Sequence, residues 1–302
     1  MKYFKKSVAL VLSVLLMATF LVACSSKEEP AVETPFTPDK PAATEKSKEE
    51  TKYSEDVQTI IDRGVLRVGV KNAVVGFGYQ DPLTKEYAGL EIALAEKIAA
   101  KLGVETEFTA VTAATRTALL DSGDIDCVLA TFTITDERKE SWDFSTPYFT
   151  DYVTVLVENK SDITSLEGLV DKKVGVSSGS TSAKSLLKAM IDGEFVNGDN
   201  FDAETFDPAT WTEGVSFQQY DDYPTISTAL SAGEVDAFSV DKSILAIYNT
   251  DSRSYIGDKF SPQDYGVATK KGSAFTTMVE ELIAEWIEDG SVESLISENG
   301  LE

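Results

Sequence analysis

The sequence predicts an α/β protein built of two similar lobes with largely parallel sheets. Three observations carry this reading. Short apolar runs alternate with helical stretches from Glu55 onward. The pattern restarts near residue 173 with the same elements in the same order. The chain has 302 residues, the length of two ordinary domains.

The first element is an address. Lys2, Lys5 and Lys6 precede an apolar run from Val8 to Cys24, the layout of an export signal. Seventeen residues is at the short limit for a membrane-spanning helix, so an uncleaved anchor is the lesser reading. Leu21-Val22-Ala23-Cys24 followed by Ser25-Ser26 resembles the bacterial lipoprotein box. That resemblance implies cleavage after residue 23 and lipid on Cys24. Loss of the three lysines would leave 24 basic against 51 acidic side chains, a net charge of −27. Residues 24–54 hold four of the nine prolines, many charges and little apolar surface, the composition of a disordered tether.

Val65–Val70 (VLRVGV) reads as a buried strand. Gly89–Leu102 is an amphipathic helix, with Leu90, Leu94, Ile98 and Leu102 recurring every four residues and Gly103 placed as its C-cap. Val104–Val111 alternates as a strand, Thr115–Ser122 reads as a helix and Ile125–Thr131 as a further strand. Then Lys173-Val174-Gly175-Val176 echoes Arg67-Val68-Gly69-Val70. Likewise TISTALSAGEVDAFS (225–239) echoes TRTALLDSGDIDCVL (115–129). In both echoes a glycine (Gly123, Gly233) ends the helix and an aspartate (Asp126, Asp236) falls in the next strand. Cys127 reads as a core residue.

Composition removes several function classes. The chain has no histidine, which excludes Ser-His-Asp and Cys-His catalysis and histidine-ligated metal. Two cysteines make no disulfide framework. A net charge of −24 argues against nucleic acid. The seven acids of residues 192–214 lack the spacing and glycine of a calcium loop and read as a surface excursion.

Parallel sheets place ligands at the carboxyl ends of their strands. Four such ends stand out: Lys71–Asn72, Thr131–Arg138, Ser177–Thr181 and Asp241. Two belong to each lobe, so an interlobe cleft would collect them. Arg138 is either a carboxylate-gripping fork or a surface guanidinium paired with Asp136. The Ser177–Thr181 turn, with Ser180 and Thr181, suits an anion or serves only as an N-cap. Asp241 receives an ammonium or caps a helix. With Lys71 and Arg116 the set holds three cations and one anion, complementary to a molecule with two carboxylates and one ammonium.

The stretches LRVGV, ALLDSGDIDCVLATFTITDERKE, DFSTPYF, KKVGVSSGST, VDAFSVDKS and QDYGVATKKGS resemble those of type 2 periplasmic binding proteins, the amino-acid-binding subunits of ATP-driven importers. Within them the sequence looks closest to the aspartate/glutamate-binding group. The resemblance implies mixed, largely parallel sheets joined by a two-strand hinge. Lobe 1 is then residues 55–151 plus 262–302, and lobe 2 residues 152–261. It implies that Arg138 grips an α-carboxylate with Thr131, Thr133, Thr135, Ser180 and Thr181 around it. Asp241 holds the α-ammonium, Tyr223 lines the second lobe, and Lys71 and Arg116 meet a side-chain carboxylate.

The expectation is a lipid-anchored, monomeric, extracytoplasmic binding protein for glutamate or aspartate. It would serve an ABC permease and its ATPase and use no cofactor, metal or catalytic residue. The rivals are a cyclohexadienyl dehydratase on the same scaffold and an amino-acid sensor or surface interaction lipoprotein. The enzyme would need a spare acid beside Asp241, and no candidate for one stands out in the sequence.

Overall fold

A computed structural model describes residues 53–301. The export signal, Cys24 and the tether as far as residue 52 lie outside the described residues. Two sheets form two lobes. In lobe 1 the strand order is Glu105–Ala110, Val65–Val70, Cys127–Leu129, Ala268–Lys270, Trp142–Phe144, the first three parallel and the last two joining antiparallel. In lobe 2 the order is Ser216–Tyr220, Lys173–Ser177, Ala237–Asp241, Phe149–Glu158, Arg253–Tyr255, with the same three-parallel start and antiparallel end. A small three-stranded sheet (residues 73–88), unforeseen in the sequence, follows the opening strand.

The sequence echo is a structural repeat. Gly69 and Gly175 occupy equivalent places in their opening strands. A Cβ on Gly69 would lie 2.6 Å from Ile125 Cδ1, and one on Gly175 would lie 2.6 Å from Ile226 and 3.3 Å from Val235. Each V-G-V therefore carries a glycine because an apolar side chain presses on the strand. The predicted helix ends hold: Gly103, Gly123 and Gly233 are left-handed caps, with φ of 71°, 79° and 74°.

Two details of the echo are corrected. Asp126 and Asp236 do not sit in strands; each stands one residue before its strand, which in lobe 1 runs only over Cys127–Leu129. Their carboxylates accept the backbone N–H of Arg67 at 2.8 Å and of Lys173 at 2.9 Å. Each aspartate thus pins its helix-to-strand turn onto the opening strand. Cys127 is fully buried, and burial pushes its thiol pKa up, so it packs and does not react.

The long strand Phe149–Glu158 pairs antiparallel with Phe260–Tyr265 from Phe149↔Tyr265 to Val153↔Phe260. Those two segments carry the chain between the lobes. The helix Ala274–Glu288 then buries Phe275, Val279, Leu282, Ile283 and Trp286. Residues 192–214 are a largely exposed excursion, but not a loose one: Phe201, Phe206 and Trp211 pack on one another with centroids 5.6–6.1 Å apart, and Phe217 closes the cluster.

Candidate functional site

Strand ends from both lobes converge. Arg116, Thr131, Thr133 and Arg138 of lobe 1 and Ser180, Thr181, Tyr223 and Asp241 of lobe 2 line one cavity of about 10 Å³. Lys71 lines an adjoining crevice of about 30 Å³ that shares Ala113 and Tyr223 with it. Thr135 faces outward, into a groove of about 500 Å³ reached past Arg138. Nine of the ten residues expected at the site thus lie on these two joined spaces. Thr135 acts one step back: it caps the helix Asp136–Ser141 by accepting the Arg138 N–H at 3.1 Å.

Arg138 spans the cleft. Its Nη1 donates to the Thr133 carbonyl at 2.7 Å and its Nη2 to the Gly179 carbonyl of the other lobe at 3.1 Å. Burial lowers its pKa to about 9, and Arg116 adds to the shift. Arg116 lies flat over Phe132, its guanidinium carbon 3.8 Å from the ring centroid. Its Nη1 donates to the carbonyls of Ala130 at 2.8 Å and Thr131 at 3.2 Å, while its buried Nε has no partner.

Lys71 is only 4% exposed. No carboxylate lies within 4 Å of its Nζ among the described residues; the amine sits 5.3 Å from the Tyr223 ring centroid. Burial, then Arg116, lowers its pKa to about 7. Asp241 ends its strand and is 5% exposed. Its Oδ2 accepts the Tyr265 hydroxyl, and its Oδ1 is buried without a partner among the described residues. Burial, then Asp151, raises its pKa to about 7. It makes no side-chain cap to the helix that follows.

The Ser177–Thr181 turn is internally bonded. Ser180 Oγ donates to the Ser177 carbonyl at 2.7 Å, and Thr181 Oγ1 donates to Gln263 Oε1 at 2.7 Å. Lobe closure is reinforced at the rim by Lys184 and Glu137, 2.9 Å apart.

Sequence reasoning missed four residues here. Glu91 is wholly buried, which raises its pKa, and near enough to Lys71 and Arg116 for their charges to act on it. The acid whose charge acts on Asp241 is Asp151, which corrects the expectation that no spare acid accompanies it. The place of Glu91 in the first turn of an amphipathic helix reads as a dipole partner; the signal overlooked is that it lies beside Leu90 on the buried face. Asp151 is buried behind Asp241, bound to the Ser243 N–H at 3.1 Å and to its hydroxyl. Gln263 and Tyr265 occupy the QDYGVAT stretch on a connecting strand. The single acid expected at the site therefore becomes three carboxyl groups: Asp241, Glu91 and Asp151. Among the described residues no group of cysteines or acids is arranged to hold a metal ion.

An interlobe cleft lined by fixed cations, hydroxyls and a buried aspartate is the site of a two-lobe binding protein. Residues 66–300 match the bacterial extracellular solute-binding proteins, family 3, and the chain belongs to that family. It is 31% identical over 298 residues to the ABC transporter glutamine-binding protein GlnH of Bacillus subtilis, covering 96% of each chain. It is 33% identical over 240 residues to the L-cystine-binding protein TcyJ of Escherichia coli K12, covering 78% of this chain and 82% of that one. A solved ancestral arginine-binding protein bound to arginine superposes with a TM-score of 0.65 at 33% identity, over 78% of this chain and 98% of the other. The fold is that of the type 2 periplasmic binding proteins. The chain is an extracytoplasmic substrate-binding protein of an amino-acid ABC transporter.

Proposed function

We propose that the ligand is an acidic amino acid, glutamate or aspartate, held between the lobes and handed to the permease by the closed form. The observation that carries this reading is Lys71: a buried amine with no carboxylate within 4 Å among the described residues, at the edge of a cavity already furnished with Arg138 and Asp241. Arg138 with Thr133 and Thr181 suits an α-carboxylate, and the unpartnered Oδ1 of Asp241 suits an α-ammonium. Lys71 and Arg116 then meet the side-chain carboxylate. A ligand without that second carboxylate leaves a buried cation unpaired, at a cost of several kcal/mol. The present cavity is smaller than an amino acid, so entry requires the lobes to part about the two connecting strands.

Glutamine is the second reading. Burial brings the Lys71 amine close to neutrality at pH 7, where it can accept an N–H, and Glu91 and Asp151 offset the local cations. The similarity to the glutamine-binding protein of Bacillus subtilis points the same way. Calorimetry with glutamate, aspartate, glutamine, cystine and arginine separates these readings; tighter binding of glutamine than of both acids would overturn the first.

We place the protein on the membrane through lipid on Cys24, as a monomer without catalytic activity. The lipoprotein-like LVAC stretch supports the anchor. Mass spectrometry of the membrane-extracted N-terminus tests it. Glu91 and Asp151 are the candidate acids for a dehydratase, but Glu91 Oε1 is engaged by Thr131 and Tyr148, and Asp151 by Ser243. The binding-protein relatives support a carrier over an enzyme.

A further inference from the structure

Glu91 has no part in the ligand grip described above, yet it is the most completely buried carboxylate near the site, with 0% exposure. It stands in the first turn of the helix Leu90–Leu102. That turn is locked in place: the Leu90 and Glu91 N–H groups donate to the carbonyls of Gly76 and Phe77, and a Cβ on Gly89 would lie 2.1 Å from the Phe77 oxygen. From this fixed base Glu91 Oε1 accepts two hydrogen bonds, from the Thr131 N–H at 2.5 Å and from the Tyr148 hydroxyl at 2.6 Å. Its Oε2 has no partner among the described residues.

Both bonds reach functional ground. Thr131 lines the cavity and has φ of +46°, a left-handed conformation that a β-branched residue adopts only under strain. Glu91 holds that turn by its N–H, while Arg116 holds it from the other side through the carbonyls of Ala130 and Thr131. Tyr148 precedes the connecting strand Phe149–Glu158, and its N–H donates to the Tyr265 carbonyl at 2.9 Å. Glu91 therefore ties the ligand-facing turn to the start of the hinge. Burial raises the Glu91 carboxyl pKa, while its two hydrogen bonds and the charges of Lys71 and Arg116 favour the carboxylate, which in turn acts through space on those two cations.

We propose that Glu91 is a positioning residue that holds Thr131 in its left-handed turn and, through its negative charge, sets how strongly the site distinguishes a ligand carboxylate from a carboxamide. The inference rests on the amino-acid-binding reading but not on which amino acid is preferred. Glu91→Gln keeps an oxygen able to accept from Thr131 and Tyr148, removes the charge and puts an uncharged NH2 in the place of Oε2. Glu91→Ala removes the acceptor and the charge, and Glu91→Ala/Thr131→Gly restores a residue that takes positive φ freely.

The experiment is calorimetry of the mature protein and these three variants with glutamate and glutamine, beside thermal melts. In Glu91→Gln the glutamate-to-glutamine affinity ratio rises fivefold or more over wild type, with a melting temperature close to it. In Glu91→Ala both ligands weaken tenfold or more and the melting temperature falls, and the double variant recovers part of the lost melting temperature. A ratio within twofold of wild type in Glu91→Gln overturns the charge role. A double variant that melts no higher than Glu91→Ala overturns the positioning role. The wild-type titrations alone report which ligand is preferred, so failure of the acidic-ligand reading is told apart from failure of this one. If wild type binds glutamine alone, Glu91→Gln still gains measurable glutamate binding.

Discussion

Gln263 and Thr181 meet across the lobes: the carboxamide oxygen on a connecting strand accepts the hydroxyl at the mouth of the helix Ser182–Asp192, at 2.7 Å. The same oxygen accepts the Thr133 hydroxyl of lobe 1 at 2.8 Å. Its orientation is fixed, because Nε2 donates to the carbonyls of Ser261 and Pro262. One buried acceptor thus joins a hydroxyl from each lobe.

Replacing it should loosen closure. In Gln263→Ala two hydroxyls lose their partner, at roughly 1 kcal/mol for each bond. Ligand affinity is expected to fall roughly five- to thirtyfold, because less of the protein occupies the closed form. Small-angle scattering of the ligand-free variant should give a larger radius of gyration. Equal radii together with an unchanged Kd would remove Gln263 from the closure mechanism.

Arg138→Ala should weaken binding by about 2–5 kcal/mol, since a ligand carboxylate would be buried without its fork. Arg138→Lys keeps the charge but loses the paired geometry and should recover only part of the loss. A change under threefold by calorimetry in the alanine variant would assign the α-carboxylate to another group.

Lys71→Asp should reverse side-chain preference, depressing glutamate affinity at least a hundredfold and favouring glutamine. Competition titrations read this directly. If glutamate binds the variant as tightly as wild type, the ligand side chain does not reach Lys71.

The pH dependence follows from two groups that titrate near neutrality. Holding an ammonium needs Asp241 charged, and its pKa is raised to about 7 by burial and then by Asp151, so affinity falls as pH drops below 7. Holding a side-chain carboxylate needs Lys71 charged, and its pKa is lowered to about 7 by burial and then by Arg116, so glutamate affinity falls as pH rises above 7. A bell-shaped profile centred about pH 7 is expected, its alkaline limb missing for a neutral ligand. Stability of the ligand-free protein has the corresponding signs. The raised Asp241 stabilises at low pH, and that contribution is lost as pH rises from about 4 to 7. The lowered Lys71 stabilises at high pH, and that contribution is lost as pH falls from about 10 to 7. A flat affinity profile from pH 5 to 9 would show that neither charge is used.

Asp126→Ala should destabilise by about 1–3 kcal/mol, because the Arg67 N–H loses its acceptor in a half-buried setting. Asp236→Ala, at the equivalent turn of lobe 2, should cost less, since Asp126 also pairs with Arg63 and Arg67 while Asp236 has no such cation among the described residues. Urea titration of each variant measures the difference; equal losses would mean that the arginines contribute nothing.

Much of the site could be read along the chain because ligand groups in a parallel α/β lobe follow strand ends, and strand ends are marked by local patterns. Lys71 follows VLRVGV, Arg138 follows the strand Cys127–Leu129 by a short threonine-rich turn, and Asp241 ends VDAFSVD. The buried acids were not legible in that way. Glu91 looks like any first-turn glutamate, and Asp151 like any charge on an alternating strand. Both become site residues only when another segment buries them, Thr131 and Tyr148 in one case and Ser243 in the other.

The sequence by itself determined the two-lobe repeat, the helix ends at Gly103, Gly123 and Gly233, and most of the cavity lining, since each depends on periodicity or turn chemistry within a few residues. Only the tertiary structure decided the charge balance around the ligand and the shared acceptor at Gln263. Burial and electrostatic proximity are set by segments about 20 to 130 residues apart, and no local pattern records which of them will meet.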